Sequence, residues 1–141
     1  MSYTKWFQAQ GERHRNVVEK LLLKNFSKDE IIEYFAFENM VKDEPDFCPL
    51  YADNRKCHDY EALNCYLCAC PNFRFSDEGI AKEDDKTLFS TCSIDSKDGK
   101  RFIGEGAIHQ DCSGCIVPHR EKYIEEHFHK DWFEIMQKCK V

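Results

Sequence analysis

Apolar positions in the first 45 residues recur at helical spacing. Between residues 4 and 25, Trp6, Phe7, Val17, Val18, Leu21, Leu22 and Leu23 fall roughly on one side of a helix. Glu12, Arg13, Arg15 and Lys20 lie elsewhere, and Gly11 weakens the pattern near its start. Ser27-Lys28-Asp29-Glu30 reads as a capping box, in which Ser27 accepts from the amide three residues on and Glu30 reaches back. It opens a second helix to about Lys42, with Ile31, Ile32, Tyr34, Phe35, Phe37 and Met40 apolar, ended by Pro45. The two predict an antiparallel pair joined by a tight turn at Asn25-Phe26. A third stripe closes the chain. Pro118 suits a first helical turn, and Ile124, Phe128, Trp132, Ile135, Met136 and Cys139 make one apolar face. That spacing predicts one helix running to about Cys139 and packing on the N-terminal pair.

Residues 46–118 lose the helical period. Short strands are expected at Leu88–Cys92 and Arg101–Ile103, with Asp98-Gly99 as a hairpin signal between them. Asp77–Lys86 reads as an exposed acidic loop. No repeat of 20–50 residues is present.

Composition narrows the classes. The chain has 141 residues, 20 Lys+Arg and 26 Asp+Glu, a formal net charge of −6. That balance argues against a dedicated nucleic-acid binder, which needs a basic surface. A hydrophobic fraction of 42% with 13% aromatics argues against disorder. No apolar run approaches the ~20 residues of a membrane span. The first residues offer one Lys followed by polar positions rather than an apolar leader, so a cytoplasmic location is expected.

The nine cysteines change the picture most. Residues 1–47 hold none, eight lie between Cys48 and Cys115, and Cys139 sits on the final apolar stripe. In a reducing compartment stable disulfides are rare, and clustered thiols more often hold metal. Three clusters stand out: Cys48 with Cys57-His58, then Cys65-Tyr66-Leu67-Cys68-Ala69-Cys70, and then Cys112-Ser113-Gly114-Cys115 followed by His119. A Cys-x-x-Cys pair lets two sulfurs from one tight turn reach the same ion at ~2.3 Å. Eight thiols are the right number for two four-sulfur sites. The candidate ligands are Cys48, Cys57, Cys65, Cys68, Cys70, Cys92, Cys112, Cys115 and His119. His119 serves either as a ligand or as a donor to a cysteine sulfur. His58 is expected to support a ligand or to be exposed, and Cys139 to be core.

Thiolate-rich sites select zinc or an iron–sulfur cluster. About two zinc ions are favoured, since binding coupled to folding would order a segment poor in apolar residues. Cys48-Pro49 and Cys70-Pro71 keep a cluster as the alternative, although the 65, 68, 70 spacing is not the ferredoxin run. The expected fold is thus mainly α with an irregular, metal-stabilised cysteine-rich segment, a small α+β chain forming a single domain over 1–141. Within it the helical pair covers 1–45, the cysteine-rich segment 46–119 and the C-terminal helix 120–141.

Cys57-His58, Asn64-Cys65-x-x-Cys68-x-Cys70-Pro71 and Asp111-Cys112-Ser113-x-Cys115-x-x-Pro118-His119 resemble the cysteine-rich small domain family of bacteria and archaea, described as zinc-finger-like and metal-binding. Cys48 and Cys92 match the family's upstream and intervening cysteines. The resemblance covers about residues 48–123, with a longer insert here between Cys70 and Cys112. It implies metal binding and no established reaction.

Other constellations are weaker. Glu126-x-x-His129 has di-iron ligand spacing but no second pair on another helix. Cys65-x-x-Cys68 lacks the βαβ surroundings of a thioredoxin-type redox pair. No phosphate loop, nucleophile elbow or His-Glu-x-x-His is present, so no catalytic set is recognisable. The function expected is a metal-stapled binding module presenting a surface to a protein partner. The alternatives are an iron–sulfur or metal-dependent enzyme, with an open position near His58, His109 or His119, and a metal-trafficking protein.

Overall fold

The computed structural model describes residues 2–141. It is a small α+β fold with helices at both ends and two sheets between them, which corrects the mainly α expectation. Helix α1 spans Tyr3–Leu23, as its apolar stripe predicts. Gly11 is buried within it, and a Cβ there would collide with the Phe133 ring. The missing side chain is what seats the C-terminal segment against α1. Asn25, at φ 60°, turns the chain, and the capping box starts α2, Lys28–Tyr34. Ser27 Oγ accepts from the Glu30 amide at 3.2 Å, and Glu30 accepts from the Ser27 amide at 2.8 Å.

The expected second helix breaks at Ala36 and resumes as α3, Phe37–Asp43. The cause lies in the cysteine-rich segment. The Cys65 amide donates to Phe35 O at 2.8 Å, the Phe37 amide to Leu63 O at 3.0 Å and Asn64 Nδ2 to Ile32 O at 2.8 Å. A strand-like bridge, Ala36 to Asn64, thus replaces helical bonds at the break. It also fixes the position of Cys65.

The middle segment is more regular than its sequence suggests. Strand β1 (Phe73–Phe75) pairs antiparallel with β4 (Ser90–Cys92). A four-stranded sheet has the order β2-β3-β6-β5, with β2 at Ala81–Glu83, β3 at Lys86–Leu88, β5 at Lys100–Ile103 and β6 at Ala107–Asp111. The β3–β6 pair is parallel and its neighbours antiparallel. The expected loop over Asp77–Lys86 therefore contains β2 and a tight turn at Asp84, φ 57°. The expected Leu88–Cys92 strand is split between β3 and β4. Asp98-Gly99 makes a turn but no hairpin. The hairpin instead joins β5 and β6 through Gly104–Gly106, where Gly106 has φ 77°.

The single C-terminal helix is also overturned. A 3₁₀ turn at Val117–His119 precedes α4 (Glu121–His127), and α5 covers only Trp132–Ile135. Phe128 is extended, so its ring stacks on Tyr66 at 4.9 Å, and Asp131 caps α5. Glu126 and His129 accordingly share no helix face. Past α5, the backbone of Cys139–Val141 runs parallel to Phe75. Trp132, Tyr66, Phe35, Phe75, Leu21, Ile31 and Met40 fill the core between α1, α2 and the chain ends. Cys139 belongs to that core, as expected. No helix among the described residues is long and apolar enough to cross a membrane.

Candidate metal centre

Each cysteine is held by a local backbone device. Cys48 precedes the 3₁₀ turn Pro49–Asp53 and accepts at its carbonyl from the Tyr51 amide. Cys65 and Cys68 share a turn closed by the Cys68 amide on Cys65 O at 3.3 Å. Cys92 ends β4 opposite Phe73, beside the chain leaving Cys70. Cys112 follows β6, and its carbonyl accepts from the Cys115 amide at 3.0 Å. Asp111 Oδ1 holds that loop by accepting from the Ser113 amide at 2.9 Å.

The eight thiols sort into two groups. Cys48, Cys57 and Cys65 bear electrostatically on Cys68, and Cys57 and Cys48 also bear on Cys65. Cys92 and Cys115 bear on Cys70, and these three bear on Cys112. The sequence places Cys68 and Cys70 two residues apart, yet they serve different groups. The turn between them explains how. Ala69 and Cys70 are both left-handed, at φ 92° and 64°, a conformation that costs a non-glycine residue about 1–2 kcal/mol.

Burial raises Cys57, Cys65, Cys68, Cys70 and Cys112 above the ordinary thiol range. Cys65 and Cys112 are pushed up to about 12 and Cys70 to about 11, and neighbouring thiols add to the effect. Cys68 moves in the same direction for the same reasons. No cationic side chain is among the groups that bear on Cys57, Cys65, Cys68, Cys70 or Cys112. A bound cation would supply the missing charge and reverse the shift. The Tyr51 hydroxyl would also favour a thiolate, as a hydrogen-bond donor that lowers the Cys65 pKa. It is buried without a hydrogen-bond partner and sits beside the Cys65 thiol. A Cys65 thiolate would accept a hydrogen bond from it.

A cavity of about 610 Å³ is lined by cysteines of both groups. Cys70, Cys92, Cys112 and Cys115 all line it, with Cys57 and Cys68 of the first group and with Tyr3, Trp6 and Phe73. The Tyr3 hydroxyl hydrogen-bonds Ser90 Oγ at 2.9 Å and His109 Nδ1 at 2.7 Å, which accounts for His109. Ser96 Oγ lies 3.2 Å from Cys115 Sγ. Among the described residues, no three sulfurs lie within 4.8 Å of one another.

One cluster that tight does exist, formed by Cys57, His58 and His119. His119 is buried, with Nδ1 on Asn64 O at 2.9 Å and Nε2 facing Cys57 Sγ at 3.8 Å. Burial lowers its pKa. His58 Nδ1 lies 3.0 Å from the same sulfur. His58 was expected only to support a ligand or to be exposed. Its adjacency to a candidate thiol was the available signal.

No protein-family model matches the chain, and no curated protein or solved structure is similar to it. The resemblance to the cysteine-rich small domain family rests on its motifs alone.

Proposed function

We propose that this chain is a thiolate metal-binding protein with two four-sulfur centres. One is held by Cys48, Cys57, Cys65 and Cys68, the other by Cys70, Cys92, Cys112 and Cys115. The observation that carries this is that the thiols acting on Cys65 and Cys68 are one set and those acting on Cys70 and Cys112 another, with no cationic side chain among them. A reducing cytoplasm keeps such thiols available to metal.

The spacing bears on the metal. A single zinc ion with Zn–S of about 2.3 Å holds tetrahedral sulfurs about 3.8 Å apart. The sulfurs here stand wider, with no three inside 4.8 Å. A polynuclear iron–sulfur centre, ligated by cysteines farther apart, would accommodate that spread. Such centres would make the protein a redox carrier, or part of an enzyme. Two zinc ions, favoured by the sequence, require each four to contract, and would make the centres staples of a binding module.

Absorption and metal analysis of protein purified without oxygen test the proposal. Brown protein with iron and acid-labile sulfide is expected. Colourless protein with about two zinc ions keeps the two centres and replaces the metal. Protein without metal overturns both. Cys65→Ser and Cys112→Ser should each remove about half the metal, because they strike different centres.

A further inference from the structure

Cys57 differs from the other seven candidate thiols. It is exposed, and two imidazoles meet its sulfur. His58 Nε2 lies 2.8 Å from the carbonyl oxygen of Cys112. A carbonyl only accepts, so Nε2 donates and Nδ1 keeps its lone pair, 3.0 Å from Cys57 Sγ. His119 repeats the arrangement with its nitrogens exchanged. Nδ1 donates to Asn64 O at 2.9 Å, and Nε2 turns its lone pair to the same sulfur at 3.8 Å. The rings are 4.7 Å apart. A thiol has one proton and satisfies one lone pair, so the other faces the sulfur without a donor. Fixing a ligand imidazole through a backbone carbonyl is how proteins lock the tautomer that binds metal.

We infer that Cys57, His58 and His119 form a third metal site, for one divalent ion of the zinc or cobalt class. Sulfur with imidazole selects such ions. Three protein ligands leave a fourth position, as in zinc sites that exchange water or substrate. All three residues line the 610 Å³ cavity, as do Trp6 and Tyr3. Cys57 also belongs to the first sulfur group, and a thiolate has lone pairs for two metals. The inference rests on the thiolate proposal only through this shared sulfur. An acid–base pair, with His58 taking the Cys57 proton, is a different use of the same atoms. It leaves the His119 lone pair unexplained.

The test titrates the full chain, purified without oxygen and freed of loose metal by dialysis, with cobalt(II) alone. Bound metal is counted, and the visible bands of four-coordinate cobalt are recorded as difference spectra. His58→Gln should lose one equivalent of cobalt and its bands, while keeping the iron or zinc of the sulfur centres. His119→Gln should do the same. His119 is buried, so His58→Gln, at a half-buried position, is the deciding variant, with circular dichroism reporting the fold. Cobalt entering empty sulfur centres does not mimic the result, because the readout is the equivalent lost with His58. Undiminished cobalt binding by His58→Gln overturns the inference. So does rapid alkylation of Cys57 by iodoacetamide that cobalt fails to slow. If Cys112→Ser keeps all its iron or zinc and the His58-dependent cobalt, the two-centre proposal fails and the third site stands.

Discussion

Acid should destabilise this protein through one histidine of the core, and replacing His14 by phenylalanine should remove that sensitivity. His14 is fully buried in α1, stacked on Phe35 at 5.0 Å and edge-on to Tyr66 at 4.5 Å. Neither ring nitrogen has a hydrogen-bond partner. Burial lowers its pKa to about 3, and the Tyr66 backbone and the Asp131 carboxylate pull upward without offsetting it. The folded pKa is depressed below the unfolded value of about 6.5, so below that pH the unfolded chain binds the extra proton. Stability is therefore lost as pH falls from about 6.5 towards 3. At about 1.36 kcal/mol per pH unit, lowering the pH from 7 to 5 costs about 2 kcal/mol through His14 alone. Thiolate centres lose affinity in acid as well. The measurement is thus the difference between wild type and His14→Phe, with metal content matched. Urea unfolding followed by Trp6 and Trp132 fluorescence at both pH values supplies it. Wild type should lose about 2 kcal/mol more than the variant. Equal losses, or a His14 proton resonance that titrates above pH 5, would refute the reasoning.

Three further outcomes are expected. Ala69→Gly relieves a left-handed residue at φ 92° and should raise stability by about 0.5–1 kcal/mol, read as a higher Tm with unchanged metal content. Ser27→Ala removes the α2 cap and should lower stability by about 1 kcal/mol in urea titration. With metal in the proposed centres, stripping it should speed amide exchange in β2, β3, β5 and β6 far more than in α1, since α1 lies in the apolar core and those strands do not.

What the sequence made legible was local. The Ser27–Glu30 box depends on four consecutive residues, and the α1 stripe on one periodicity. The break at Ala36 depends on Leu63, Asn64 and Cys65, whose backbone competes for the helix's hydrogen bonds, so periodicity over 28–42 carries no trace of it. Similarly, Phe128 leaves the last helix because Tyr66 offers its ring a stacking partner and the Tyr66 hydroxyl donates to His129 O at 2.8 Å. Ala81–Glu83 is a strand only because Leu88 and its neighbours pair with it. Cysteine spacing named the candidate ligands but not their grouping. Cys65, Cys68 and Cys70 look like one site in sequence, and two left-handed residues divide them.

The distribution of apolar burial gives the sulfur groups a structural reason. Between Phe75 and Tyr123 no residue joins the main hydrophobic cluster, and Leu88, Ile108, Cys115 and Pro118 are the buried apolar residues there. A four-stranded sheet with β5 exposed along its whole length has too little core to hold itself against chain entropy. The second sulfur group spans this gap. Cys70 leaves the helical core, Cys92 ends the strand paired with β1, and Cys112 and Cys115 follow β6. A metal there would tie three separate chain segments to the folded half. Its binding energy would then be folding energy for the sheet. The strained turn at Ala69-Cys70 sits where that tie begins. Backbone strain persists where the surroundings over-determine it, and a metal bond on Cys70 is such a constraint.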